Sequence, residues 1–223
     1  LQIDTKYWEN ICSQNHYVNF NAEDQIDAYG DTNTIQIDFD ISLTDKLIGR
    51  ANEPYNTKPN ELILIALART VSTLFKSDKI VIELECHGRD NIENINVSRT
   101  VGWFTDKFPT LLTIDSDNMQ MQIKSMKEQI RKSIKSGFEY GILQYLNQNT
   151  LVDGKYIRYN FLGEYKDSLY KFLKIDQIFL DSNFHNNDTS FIIDINLIII
   201  NQKLVIFLSY RTELLAEDTI TEL

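Results

Sequence analysis

Cysteine is nearly absent from this chain: Cys12 and Cys86 are the only two in 223 residues, far apart, with no C-x-x-C spacing and no apolar secretory stretch. That argues against a disulfide framework or a thiolate zinc site and leaves reduced thiols in a cytoplasmic setting. Histidine is also scarce, and His16, His87 and His185 are nowhere adjacent. No run of about eighteen apolar residues occurs, since even Phe191 to Ile200 is broken by Asp194 and Asn196, so a membrane span is excluded. Positive charge is in deficit, with 22 basic against 32 acidic residues and a net charge of -10. Without a basic stripe interleaved with aromatics, such a surface repels phosphate backbones, and nucleic acid is not an expected partner. Repeats and low-complexity linkers are missing as well. The 43% hydrophobic and 11% aromatic content that remains describes one globular domain with an ample core.

Several elements follow from periodicity. Ile35, Ile37, Phe39 and Ile41 alternate with polar residues, which predicts a strand with one buried face. Ser42-Leu43-Thr44-Asp45 has capping-box spacing for a helix that Pro54 closes. Pro59 opens a second helix to about Phe75, apolar on nearly every side from Leu62 to Leu67 and therefore expected at the centre of the fold. Met119, Ile123, Met126, Ile130 and Ile134 recur at helical intervals, with Lys124, Lys127, Arg131, Lys132 and Lys135 between them and Gly137 placed to stop the helix. The basic run reads as a solvated face, with an acidic carrier protein as the alternative partner. Phe191–Ile200 and Lys203–Tyr210 flank Asn201-Gln202, an interval suited to a hairpin. Strands alternating with helices give an α/β class with a mixed sheet and flanking helices.

Chemistry concentrates between Ile80 and Pro109. The β-branched, apolar run Lys79 to Glu85 reads as a strand, after which the chain offers Glu85, Cys86, His87, Gly88, Arg89 and Asp90. Polar residues at a strand end stand at the edge of a cleft on rigid support. Ten residues later come Arg99-Thr100-Val101-Gly102-Trp103-Phe104-Thr105.

In that order these clusters resemble the epimerization domains of nonribosomal peptide synthetases, whose signatures read E-G-H-G-R-E and R-T-V-G-W-F-T. The likeness extends to Tyr7-Trp8, Tyr55-Asn56-Thr57, Gly137 with Tyr140-Gly141, Tyr159-Asn160-Phe161-Leu162-Gly163 and Asp194-Ile195-Asn196. The chain departs from the pattern at Cys86 and Glu139, where glycines are usual, at Ile134 for proline and at Phe161 for tyrosine. The family's H-H-x-x-x-D-G motif is absent. Residues 1–223 are therefore expected to be the C-terminal lobe of a two-lobed, chloramphenicol-acetyltransferase-like domain whose other lobe carries those histidines.

The resemblance implies an isomerase that inverts the α-carbon of an aminoacyl or peptidyl thioester, L to D, within peptide antibiotic biosynthesis. It implies no directly bound cofactor or metal; the substrate would ride on the phosphopantetheine arm of a peptidyl carrier protein, and the partners would be that protein and the N-terminal lobe. Glu85 aligns with the family's glutamate and Asn160 with its asparagine, and these are the expected catalytic residues. His87, Arg89, Trp103 and Phe161 are expected to bind substrate or support the site. A free glutamate titrates near about 4.3, so work at neutral pH calls for burial to raise it, while pairing with Arg89 would lower it. By residue type alone, Arg89 suits tying backbone carbonyls or Asp90, Arg99 suits anchoring the next turn, His87 suits a hydrogen-bonded loop, and Trp103 and Phe104 suit packing in the core. Two other classes remain open: a condensation-domain lobe that forms peptide bonds, and a noncatalytic module that docks carrier proteins.

Overall fold

The computed structural model describes residues 3–13, 31–89, 96–146, 156–165 and 191–223. Along them run α1 (Thr5–Ser13), β1 (Thr32–Asp38), α2 (Ile41–Ile48), a 3-10 turn (Glu53–Tyr55), α3 (Pro59–Phe75), β2 (Lys79–Cys86), β3 (Asp106–Thr113), α4 (Met119–Tyr145), β4 (Tyr156–Tyr165), β5 (Phe191–Ile200), β6 (Lys203–Arg211) and α5 (Glu217–Thr221). His16, Asp90 and His185 lie outside the described residues.

The strands form one sheet in the order β1-β6-β5-β4-β2-β3. Its central pairs, β2 with β4 and β4 with β5, are parallel, while the three other pairs are antiparallel. The sheet is thus mixed and flanked by helices, as the alternation of elements implies. The hairpin between β5 and β6 turns on Asn201 and Gln202, with φ of 49° and 64°. Two consecutive left-handed residues give a turn whose twist matches its strands, and Gln202 adopts the conformation without being glycine.

The period of two divides each strand between two environments. Ile80, Ile82 and Leu84 of β2, Ile157 and Tyr159 of β4, and Ile193, Ile195 and Leu197 of β5 join one buried cluster with Leu64, Ile65 and Ala68 of α3, Met126 and Ile130 of α4, and Trp8 of α1. Trp8 is fully buried, 6.2 Å edge-on from Phe108 and 5.2 Å from Tyr140. On the second face, where no described helix packs, Ile198, Val205 and Phe207 make a small separate cluster.

Tertiary contacts override four local readings. Gly137 does not stop α4, which runs on to Tyr145; a Cβ there would strike the Phe108 ring, so the glycine lets helix and sheet approach. Asp40, not Ser42, caps α2, its carboxylate accepting from the Leu43 N–H at 2.7 Å. β1 is an edge strand; Ile35 is only half-buried and Ile37 is exposed, so the face expected to be buried is not. α3 buries Leu64, Ile65, Ala68 and Val71 but leaves Ala66 exposed, so it lies on the sheet as a flanking helix rather than at the centre.

The basic run on α4 is largely a fastening. Arg131 donates to both Glu61 carboxylate oxygens, at 2.7 and 3.0 Å, and to the Asn56 carbonyl; Lys127 donates to the Tyr55 carbonyl at 3.0 Å. These bonds tie α4 to the first turn of α3 and to the segment before it. Lys132 stacks on the Tyr7 ring at 4.2 Å, and Lys124 and Lys135 face solvent. Glu139, where the resembled domains have glycine, accepts the Asp4 N–H at 3.1 Å and so serves the packing of α1.

Candidate active site on the second sheet face

Glu83 and Glu85 alternate with the core residues of β2 and therefore share the second face. Across the ladder the register lines up two rows. One contains Pro109, Glu83, Arg158, Asp194, Ser209 and Thr34. In the next, Lys107 stands opposite Glu85 on the β3 side, and Asn160, Asn196 and Phe207 follow on β4, β5 and β6. Asn160 lies two residues beyond Arg158, on the same side of its strand as Glu85 is of β2.

The side chains bear out a connected polar field. Arg158 Nε donates to Glu83 at 2.7 Å, both side chains being largely buried. Lys107 Nζ lies 3.9 Å from Glu85, too far for a tight hydrogen bond, and the Glu85 side chain keeps 28% of its surface accessible. The carboxylate is therefore sheltered by the sheet yet open toward solvent, and among the described residues its nearest cation is Lys107, not Arg89. Asp194 accepts from Asn196 Nδ2 at 3.1 Å. Burial raises its carboxyl above the ordinary value, against the pull of Arg158, the Asn196 bond and Lys107, and the charge of Glu85 adds to the rise.

That shift carries a stability consequence. A carboxyl held more tightly protonated in the folded state than in the unfolded chain costs nothing below the unfolded value and weakens the fold as pH rises through the folded one. Asp194→Asn is therefore expected to be at least as stable as the parent at pH 7, with the difference vanishing toward about pH 4. Urea midpoints at the two pH values check this.

Past Glu85 the chain turns at Gly88, φ 59°, where a Cβ would fall on the Phe104 carbonyl oxygen. The close approach lets Arg89 reach across: its guanidinium donates to the carbonyls of Val97 at 2.9 Å, Thr100 at 2.8 Å and Gly102 at 3.0 Å, and its carbon sits 4.4 Å from the centre of the Phe104 ring. Arg89 is the clamp of the loop. Arg99, expected to anchor the turn, is exposed, and it is Arg89 that binds three carbonyls of that turn. His87 is exposed and its Nδ1 accepts the Arg89 N–H at 2.9 Å.

Two aromatic positions differ from expectation. Trp103 is 88% exposed and Val101 fully so, because the clamp fixes the backbone of 97–102 away from the core; packing in the core is excluded for Trp103. Phe161 follows Ile157 and Tyr159 in phase and packs against the helix-covered core, so it stands on the opposite side of β4 from Asn160. Tyr159 is buried there too, donating its hydroxyl to the Asn60 carbonyl at 2.9 Å. The phenylalanine-for-tyrosine departure therefore lies off the face that bears Glu85.

Lys107, Arg158 and Asp194 complete this field and were not among the expected site residues. Their signal lay in β5, where Asp194 and Asn196 share one phase of an otherwise apolar strand. Which residues they would face depends on register.

A family model described as the condensation domain matches residues 1–223. The chain belongs to the condensation-domain family. It is similar to gramicidin S synthase 1 of Brevibacillus brevis, 32% identical over 97% of this chain and 21% of that protein, and to bacitracin synthase 3 of Bacillus licheniformis, 29% identical over all of this chain and 4% of that one. Among solved structures it is similar to the epimerization domain from the third module of tyrocidine synthetase B, with a TM-score of 0.74 and 26% identity over 98% of this chain and 51% of that domain. The chain thus spans about half of the solved domain and 21% and 4% of these two curated relatives. Among the described residues no helix is long and apolar enough to cross a membrane.

Proposed function

We propose that this chain is the C-terminal lobe of an epimerization domain, working with an N-terminal lobe to invert the α-carbon of an aminoacyl or peptidyl thioester carried on the phosphopantetheine of a peptidyl carrier protein. The observation that carries the reading is Glu85: a carboxylate at a strand end, beside a clamped loop, partly accessible and, among the described residues, without an ion pair shorter than 3.9 Å.

A thioester acidifies its α-hydrogen because the carbanion delocalises into the carbonyl, so inversion needs a base on one face, an acid on the other and a donor to the enolate oxygen. Glu85 takes the α-proton on its side, or returns one there, and the companion lobe serves the other side. Asn160, in the same phase on the next strand, is the group placed to donate to the thioester oxygen. Gly88 and Arg89 act through the loop rather than on the substrate, and Trp103, held outward, is the residue of this lobe best placed to meet the companion lobe or the carrier arm.

The solved epimerization domain, with 26% identity across nearly the whole chain, supports this reading over peptide-bond formation, as do Trp103 and Thr105 in the second signature. The test is chiral analysis of the amino acid released from an L-loaded carrier protein. The full-length protein that contains this chain is expected to give a mixture of L and D, and the 223-residue chain alone is expected to give only L. Inversion by the chain alone would contradict the division between lobes, and unchanged L with the full-length protein would contradict the function.

A further inference from the structure

Glu83 and Glu85 share one face of β2, and each meets a cation from a neighbouring strand in a different way. Arg158 of β4 closes on Glu83 at 2.7 Å, and both side chains are largely buried. Lys107 of β3, the register partner of Glu85, stops 3.9 Å from it, and its side chain is 47% exposed. The first pair is shut and belongs to the sheet. The second is loose and open, so it adds little to stability and leaves the ammonium able to change partners.

The adjoining loop fixes where that ammonium stands. A Cβ on Gly88, just past Glu85, would fall on the carbonyl oxygen of Phe104, just before Lys107. Arg89 holds the Thr100 and Gly102 carbonyls and lies over the Phe104 ring. The two sequence clusters thus lock the ends of β2 and β3 together and set the Glu85 carboxylate beside the Lys107 ammonium.

We infer that Lys107 is a further catalytic residue, whose ammonium passes from Glu85 to the enolate oxygen during inversion. The inference rests on the proposed role of Glu85. As the carboxylate takes the α-proton, the C–H electron pair moves into the thioester, and the negative charge leaves Glu85 for the enolate oxygen. That oxygen is two bonds from the α-carbon, within reach of a lysine head beside the base. Lys107 keeps its proton and exchanges one anion for the other, so no new charge is left unpaired. Protonation of the α-carbon from the companion lobe then returns the electron pair to carbon. Glu85 gives its proton to water, the companion acid recovers one from water, and Lys107 pairs with the carboxylate again. Lys107 on β3 and Asn160 on β4 flank Glu85 from opposite sides, the amide supplying a neutral donor and the lysine the compensating charge.

Two measurements on the full-length protein that contains this chain test this. In α-hydrogen exchange on an L-aminoacyl carrier protein, Lys107→Met is expected to lower kcat by at least about 10-fold with KM unchanged. A smaller fall, or one confined to KM, overturns the inference. The second measurement needs no turnover and compares binding of S-(carboxymethyl)pantetheine, whose planar carboxylate mimics the enolate, with that of its neutral carbamoylmethyl counterpart. The parent is expected to prefer the anion by at least about 5-fold. Lys107→Met is expected to erase that preference while binding the neutral compound as the parent does, and Glu85→Gln is expected to keep it, because the ammonium then has no competing carboxylate. No preference in the parent, a preference that survives Lys107→Met or disappears in Glu85→Gln, or loss of both ligands in Lys107→Met contradicts the role. Absence of exchange in the parent would defeat the proposed function instead, and the binding comparison would still decide Lys107.

Discussion

Glu85→Gln is expected to slow α-hydrogen exchange by at least about 100-fold, or roughly 2.7 kcal/mol of barrier, while leaving the fold intact. Glutamine keeps the shape and one hydrogen-bonding oxygen but cannot accept the α-proton. The stability side of the comparison is what makes the test informative. Among the described residues Glu85 has a single ion pair, at 3.9 Å, with a lysine that is itself about half exposed. Exposed pairs of that length contribute less than about 1 kcal/mol, so the urea midpoint of the variant should scarcely move. Loss of exchange together with loss of stability would mean that the carboxylate serves the fold, and retained exchange would remove Glu85 from the reaction.

Arg131→Met is expected to have the largest effect on stability. Glu61 is 2% exposed and receives the Lys58 N–H at 2.8 Å as well as the two bonds from Arg131. The same pairing raises the Arg131 guanidinium further above its ordinary value, so the charge is present at any working pH. Removing the guanidinium leaves a buried carboxylate with one backbone donor, a change that costs about 3 kcal/mol. For a domain of this size that corresponds to a fall of roughly 6–12 °C in Tm, measurable by calorimetry. Methionine retains the aliphatic contact, so the loss reports the ion pair. Lys124→Ala on the same helix, fully outside this network, is expected to change Tm by little, since surface substitutions fall within about 0.5 kcal/mol.

Arg131 also marks where sequence reasoning reaches its limit. Helical spacing gives α4 its apolar stripe and its basic side, and both are present. Whether a basic residue meets water or a buried acid depends on Glu61, seventy positions away on another helix, and no local pattern contains that pairing. Gly137 teaches the same lesson with opposite sign. A glycine after a basic turn is a fair stop signal, yet here Phe108 on β3 needs the missing side chain, and the helix continues for two more turns. The hairpin at Asn201-Gln202 and the start of α3 at Pro59 were legible because each follows from backbone rules within a few residues.

In the site, the strand end at Glu85 was legible from an abrupt change in residue type. Arg89 as a tie for carbonyls was legible from the fork of its guanidinium, although which carbonyls it holds follows only from the turn at Gly88. Trp103 was not legible, because size and hydrophobicity point inward whereas the clamp points it out. Asp194 required the sheet order: β4 lies between β2 and β5, and only that arrangement, with β4 and β5 in parallel register, puts the polar phase of β5 in the same field as Glu85. The condensation-domain family fixes the fold; under the proposed function, the stereochemical outcome depends on what this field does to one hydrogen.

Solvent deuterium incorporation at the α-carbon of an L-aminoacyl carrier protein, followed in the full-length protein that contains this chain, tests that most directly. The account predicts deuterium at the α-position together with the D-thioester, both lost in Glu85→Gln. A peptide bond formed with the α-hydrogen retained would contradict it.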